Sequence, residues 1–119
     1  MTVKAKIRYS FPDDILVFRP MKREYESSIQ MGDIIFDLDK NRKIVGVELM
    51  GASRLFGISK SVLNNIVSGK VQLSVSENLI KIHIKLNANI RNTDKTAAFA
   101  LRDIKPKFIN PTELNLAIA

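Results

Sequence analysis

The 119-residue chain contains no cysteine and no tryptophan, and its one histidine is His83. Without cysteine there is no disulfide and no thiolate zinc site. Five glycines and four prolines supply no phosphate-cradling glycine loop, no low-complexity tract and no linker. No apolar run approaches the roughly 18–20 residues that a helical membrane span needs. The opening "MTVKAKIRYS" is basic but lacks the apolar stretch of a secretory signal. These absences point to a cytoplasmic protein that keeps away from membranes and carries no cofactor.

What is present is ordinary for a globular domain, with 45% hydrophobic and 26% charged residues. The charge is less ordinary, at +7. Lys and Arg lead Asp and Glu by 11 to 8 over residues 1–69 and by 8 to 4 over residues 70–119. A basic surface suits phosphate-bearing partners, although charge speaks to association rather than to fold. No block of five like charges forms a basic tail.

Periodicity lays out the elements. "VKAKIRY" alternates, with Val3, Ala5, Ile7 and Tyr9 on one face and Lys4, Lys6 and Arg8 on the other. "SFPDD" is a turn, "ILVFR" a strand that Pro20 ends, and residues 21–31 a loop with a short strand over 26–30. "DIIFDLD" and "KIVGVEL" form a hairpin whose turn falls to Asn41, a residue tolerant of left-handed angles. Leu55, Ile58, Val62, Leu63 and Ile66 then recur at helical spacing. Ser59 is an N-cap for a helix over about 60–67, and Gly69 its stop. "VQLSV" and "LIKIHIKL" pair as a second hairpin, and "TAAFALRDI" is a further strand. Leu114, Leu116 and Ile118 make a terminal apolar strand that must be covered, by its own domain or by a neighbour. The expected fold is α+β: an antiparallel β-meander, one central helix, then further antiparallel strands. Residues 1–69 and 70–119 are expected to pack into a single domain.

The carboxylates of "GDIIFDLDKNRKIVGVELMGAS" invite a metal reading. Asp37, Asp39, Asn41 and Glu48 fall at positions 1, 3, 5 and 12 of a calcium loop, with Ile44 at position 8. Against it, Arg42 occupies the glycine position and the flanks are strand-like. An acid–base pair of Asp37 and Asp39 needs environments that separate their pKa values, and Lys40, Arg42 and Lys43 favour ionisation of both. The plainer expectation places both carboxylates on the wet outer face of a hairpin.

"SRLFGISKSVLNNIVSGK" is similar to the two-helix core of phage-repressor-like DNA readers. That reading exposes Lys60, Asn64 and Asn65 on a recognition helix, within the segment 53–70. A softer version of the same idea uses a basic sheet face, with Lys4, Lys6 and Arg8 on one strand and Lys81 and Lys85 on another. Neither stripe carries an aromatic side chain, so a base-stacking platform is not expected.

"YSFPDDILVFR" followed by "GDIIFDLDKNRKIVGVELMGASRLFGI" resembles the prokaryotic family catalogued as domain of unknown function 2283. The residues that carry the likeness are Tyr9, Pro12, Asp14, Leu16, Gly32, Asp37, Asp39, Val45, Gly46, Glu48, Ala52 and Ser53, over about residues 7–58. The resemblance implies a β-meander followed by a helix, and an antitoxin-like role beside a small protein partner. It implies no enzymatic activity. The expected function is a small non-enzymatic binding or regulatory module that self-associates as a homodimer or higher homo-oligomer. Nucleic-acid binding is the first alternative and the antitoxin-like role the second.

Overall fold

In the computed structural model, which describes residues 2–22 and 24–118, the alternating segments become nine strands. They are β1 (Thr2–Ser10), β2 (Ile15–Pro20), β3 (Ser27–Met31), β4 (Ile34–Leu38), β5 (Ile44–Met50), β6 (Ile66–Val75), β7 (Leu79–Ile90), β8 (Thr93–Ile104) and β9 (Thr112–Ile118). Two short helices, α1 (Ala52–Phe56) and α2 (Lys60–Leu63), stand between β5 and β6. The protein is therefore mostly β, and the expected α+β architecture with a central helix is wrong.

The correction has a local cause. Gly57 adopts left-handed angles and its N–H returns to the carbonyls of Arg54 and Ser53, so α1 ends after five residues. Ser59 does cap α2, its hydroxyl accepting from the Val62 N–H at 3.3 Å, but α2 ends at Asn64 after one turn. Ile66 already belongs to β6, where the expected helix ran on to 67. Gly69 is no helix stop. It lies within β6, where an added Cβ would sit 2.8 Å from the Lys85 carbonyl oxygen, so glycine lets β6 and β7 approach.

The strands form one sheet in the order β3-β4-β5-β2-β1-β9-β6-β7-β8. Its halves meet at β1, which uses residues 5–10 for antiparallel pairing with β2 and residues 2–4 for parallel pairing with β9. That one parallel ladder departs from the all-antiparallel expectation. The terminal strand β9 is covered by its own chain, between β1 and β6. The sheet curls so that the inward residues of both halves share one core, from Leu16, Phe18, Phe36 and Val47 to Val71, Leu73, Ile82, Ile84 and Leu116. Phe56 of α1 meets Phe99 of β8 with ring centroids 5.9 Å apart.

The loop after β8 closes one end. Ile109 is fully buried, and Asn110 donates its N–H to the Arg42 carbonyl at 2.9 Å and its side-chain amide to the Asn41 carbonyl at 2.7 Å. Arg42 stacks over the Phe108 ring at 5.5 Å. The left-handed residue of the β4–β5 turn is Arg42, with φ 60°, rather than the expected Asn41.

β7 and β8 are joined by two residues, Arg91 and Asn92, both left-handed (φ 50° and 63°) between the paired Ile90 and Thr93. Two consecutive left-handed residues make the type I′ turn that matches strand twist, and Asn-Gly is its preferred sequence. Arginine is strained in that conformation by about 1–2 kcal/mol. Replacing the pair by Asn-Gly (Arg91→Asn with Asn92→Gly) is expected to stabilise the fold by about 1 kcal/mol, read as a raised midpoint in urea unfolding.

Candidate functional site

Strand alternation sorts the side chains into an inner apolar face and an outer polar one, and cross-strand register sets the outer residues in rows. One row runs Lys4, Ala117, Lys70, Lys85, Ala98 across β1, β9, β6, β7 and β8. The next runs Thr2, Asn115, Gln72, His83, Ala100, and a third runs Glu113, Ser74, Lys81, Arg102. Adjacent strands lie about 4.8 Å apart, so the row from Lys4 to Ala98 spans roughly 19 Å. A concavity of about 580 Å³ opens over the second and third of these rows, lined by Gln72, Ser74, Lys81, His83, Ala100, Arg102, Glu113 and Asn115, with the row of Lys4, Lys70 and Lys85 beside it. It is a dish because Ala100 leaves low ground beside longer side chains.

The charge on this surface is one-sided. Lys4, Lys70, Lys81, Lys85 and Arg102 face one carboxylate of the three rows, Glu113, which accepts a hydrogen bond from the Ser74 hydroxyl at 2.8 Å. Along β1 the surface continues through Lys6 and Arg8, beside Arg19 of β2 in a second hollow. The sequence-predicted residues Lys4, Lys6, Arg8, Lys81 and Lys85 thus fall on one continuous outer face. Lys70, Gln72, Arg102 and Asn115 belong to it as well. Lys70 was missed because Gly69 reads as a helix stop, which starts the strand at Val71, five residues after β6 begins.

The other predicted binding residues lie elsewhere. Lys60 places its ammonium 5.4 Å from the centre of the Phe11 ring. Asn64 is the C-cap of α2, and Asn65 donates its side-chain amide to the Ser61 carbonyl at 2.7 Å while its own carbonyl accepts from the Asn89 N–H. A helix of four residues is about 6 Å long, so the segment 53–70 offers no recognition helix to a major groove.

The metal candidates are also dispersed. Asp37 does not sit on a wet rim: it is 4% exposed, with Arg19 Nε 3.5 Å from Oδ2 and the Ser28 hydroxyl donating to Oδ1 at 3.0 Å. Gly46 makes the room, since a Cβ there would stand 3.0 Å from Asp37 Oδ2. The register shift beside Asp37 and Leu38 leaves the extra residue, Val45, on β5. β4 keeps its alternation and ends at Leu38, so Asp39 lies beyond the strand in the turn. Its Oδ1 instead accepts from the N–H groups of Asn41 (2.8 Å) and Lys43 (3.1 Å), closing the turn. Asn41 is exposed in that turn and Glu48 half-buried on β5, opposite Val17 and Ile35. Among the described residues no group of three or more His, Cys, Asp or Glu is placed to hold an ion.

A second polar cluster joins three residues of the resemblance. Asp14, left-handed at φ 54°, accepts from the Tyr9 hydroxyl (2.6 Å), the Ser53 hydroxyl (2.6 Å) and the Ser53 N–H (3.0 Å). Its own carbonyl accepts from the Ala52 N–H at 3.0 Å. The tip of the β1–β2 hairpin is thereby fastened to the start of α1. Partial burial works to raise the Asp14 pKa, but the bonds from Ser53 and Tyr9, with Lys60 nearby, outweigh it and hold the carboxyl below its ordinary value. Burial first, then the bond to Asp14 and its charge, push the Tyr9 phenol well above its usual range, so it serves as a fixed donor.

The family model described as protein of unknown function (DUF2283) matches residues 6–53, the stretch from β1 through the Asp14–Ser53 fastening. A Methanosarcina mazei protein named "Putative hypoxanthine phosphoribosyltransferase" is 33% identical over 88 residues, which is 74% of this chain and 72% of that one. An uncharacterised protein of Methanocaldococcus jannaschii is 31% identical over 85 residues, 71% of this chain and 73% of that one. The chain belongs to the DUF2283 family. No solved structure matches it. The DUF2283 match ends at Ser53, so β6 to β9, which build most of the basic dish, lie outside the family model. Among the described residues no helix is long and apolar enough to cross a membrane.

The DUF2283 residues Asp14 and Gly46 give two expectations. A carboxyl whose folded pKa is depressed contributes stability that is complete above its unfolded value near 3.8 and is lost as pH falls through the folded value. Asp14→Asn keeps a residue tolerant of left-handed angles but removes the charge. It is expected to cost about 1–2 kcal/mol at pH 7 and to flatten the acid limb of stability against pH, measured by urea titration from pH 6 to pH 2. Gly46→Ala, which drives a methyl against Asp37, is expected to cost about 1–3 kcal/mol by the same titration.

Proposed function

We propose that this DUF2283 member is a non-enzymatic binding module whose working surface is the outer face of β1, β9, β6, β7 and β8, and that its ligand is a nucleic-acid strand held by its phosphates. The observation that carries this reading is the register that sets Lys4, Lys70 and Lys85 in one row, with Lys81 and Arg102 two rows, four residues, further along their strands. Cations repeated at strand spacing over a shallow dish suit a charged backbone. Gln72, His83 and Asn115 between them offer hydrogen bonds to phosphate and sugar oxygens. With no aromatic side chain in the rows, binding rests on the backbone rather than on stacked bases, so weak sequence preference and strong salt dependence are expected.

Support for a non-enzymatic role comes from the carboxylates. Asp14, Asp37 and Asp39 are each committed to holding a turn or a neighbouring strand, and none lines the dish. The name of the Methanosarcina mazei relative concerns that protein, and no feature of the basic face selects phosphoribosyl transfer over simple anion binding.

Fluorescence anisotropy with a mixed-sequence DNA duplex and a single-stranded RNA tests the reading. Micromolar binding is expected at low salt, weakening steeply toward physiological salt. Lys70→Glu combined with Lys85→Glu is expected to weaken binding at least tenfold and to lower the salt slope by roughly two phosphate contacts' worth. Lys60→Glu, outside the rows, is expected to leave it unchanged. Absence of binding at low salt overturns the reading and turns attention to a small protein partner.

A further inference from the structure

Two strands end the sheet, and they differ. β3 is five residues long, whereas β8 runs twelve residues, is mostly exposed, and pairs with β7 along its whole length without a register shift. Among the described residues no strand pairs with the other edge of β8. It has none of the devices that guard such an edge: no proline, no bulge, and no charge between Thr96 and Leu101. The two-residue turn makes Ile90 and Thr93 a hydrogen-bonded pair, and bonded pairs alternate along the ladder. The odd-numbered residues of β8 therefore bond to β7. The even-numbered ones, Asp94, Thr96, Ala98, Ala100 and Arg102, turn their backbone groups to the open edge.

We propose that the occupant of this edge is β8 of a second copy, antiparallel about a two-fold axis at Phe99. An even register sum is required for inner side chains to face inner ones across the axis. Of such registers, the one centred on Phe99 sets Lys95 opposite Asp103, and the two-fold makes that pairing twice; the one centred on Ala98 pairs Arg102 with Asp94, which the Asn89 side-chain amide already holds at 2.9 Å. The Phe99 register also sets Ala98 opposite Ala100 at bonded positions and Phe99 opposite Phe99 at a non-bonded one, where side chains come closest. Lys95 and Asp103 are both exposed in the single chain, and although Asp103 Oδ1 accepts from the Ile104 N–H at 2.7 Å, a carboxylate has further lone pairs to meet a partner's ammonium. The two dishes then become one face, because Ala98, Ala100 and Arg102 stand beside the axis in each copy. This pairing does not rest on nucleic-acid binding, and its test contains no ligand.

Sedimentation velocity of the full chain at about 100 μM reads the outcome directly. A dimer is expected. Ala100→Pro removes only an N–H that points to the open edge and is expected to give a monomer, with circular dichroism confirming that the strands remain. Lys95→Glu is expected to weaken dimerisation at least tenfold, and Lys95→Glu with Asp103→Lys to restore it. A wild-type monomer overturns the proposal, as does a dimer indifferent to folded Ala100→Pro. A charge swap that fails to restore the dimer overturns the Phe99 register.

Discussion

Strand β1 belongs to two ladders at once, and both the fold and the basic face depend on that division. Residues 5–10 complete the family meander by pairing with β2, while residues 2–4 start a new ladder with β9. Because side chains opposite one another in a ladder point to the same side, the alternation of Lys4, Lys6 and Arg8 passes without interruption into Ala117, Lys70 and Lys85. Nine residues thus transmit orientation from one half of the sheet to the other. Were β1 to slip by one residue, every cation on it would turn into the core and Ala5, Ile7 and Tyr9 would turn out. The cost of burying unpaired ammonium groups makes that slip prohibitive, so the charges that form the surface also help to set the register.

The carboxylates of the family segment serve the scaffold rather than a reaction. Asp14 accepts three charge-assisted bonds, of which the two from Ser53 tie a hairpin tip to α1, and Asp37 is held between Arg19 and Ser28 above a glycine that leaves it room. Asp39 closes a turn. Each replaces water on a carboxylate with fixed donors, the condition under which a buried or half-buried charge is tolerated. The residues that carry the DUF2283 likeness are accordingly those that build the meander, and the basic dish lies mostly on strands that follow them.

Much of this was legible in the residues. Period-two alternation in "VKAKIRY" and "LIKIHIKL" located two cationic stripes and the faces they occupy, and β9 was legible as a covered apolar strand. What misled was helical spacing from Leu55 to Ile66, which two helical turns and the start of a strand reproduce equally well. Gly57 broke the helix and Gly69 did not, and the difference lies in tertiary contacts: the second is where β7 presses on β6. Asp37 and Asp39 read as neighbours on one face only so long as β4 runs on past Leu38; it ends there, and the turn takes Asp39 away. Which stripes share a row was beyond reach, because β1 and β9 are joined across more than a hundred residues and no local rule sets their register.

The basic face and the open edge of β8 act on one another. In a dimer paired through β8, two surfaces of the same sign are brought side by side, and each Arg102 stands near the axis. Such juxtaposition repels, over a range of about 10 Å at moderate salt. A polyanion lying across the axis removes that repulsion and contacts both copies. A ligand that binds the dimer more tightly than the monomer must, by linkage, favour dimerisation by the same factor. In the proposed dimer the cations that oppose pairing in the free protein would thus become, once phosphates neutralise them, the reason that pairing and binding strengthen each other.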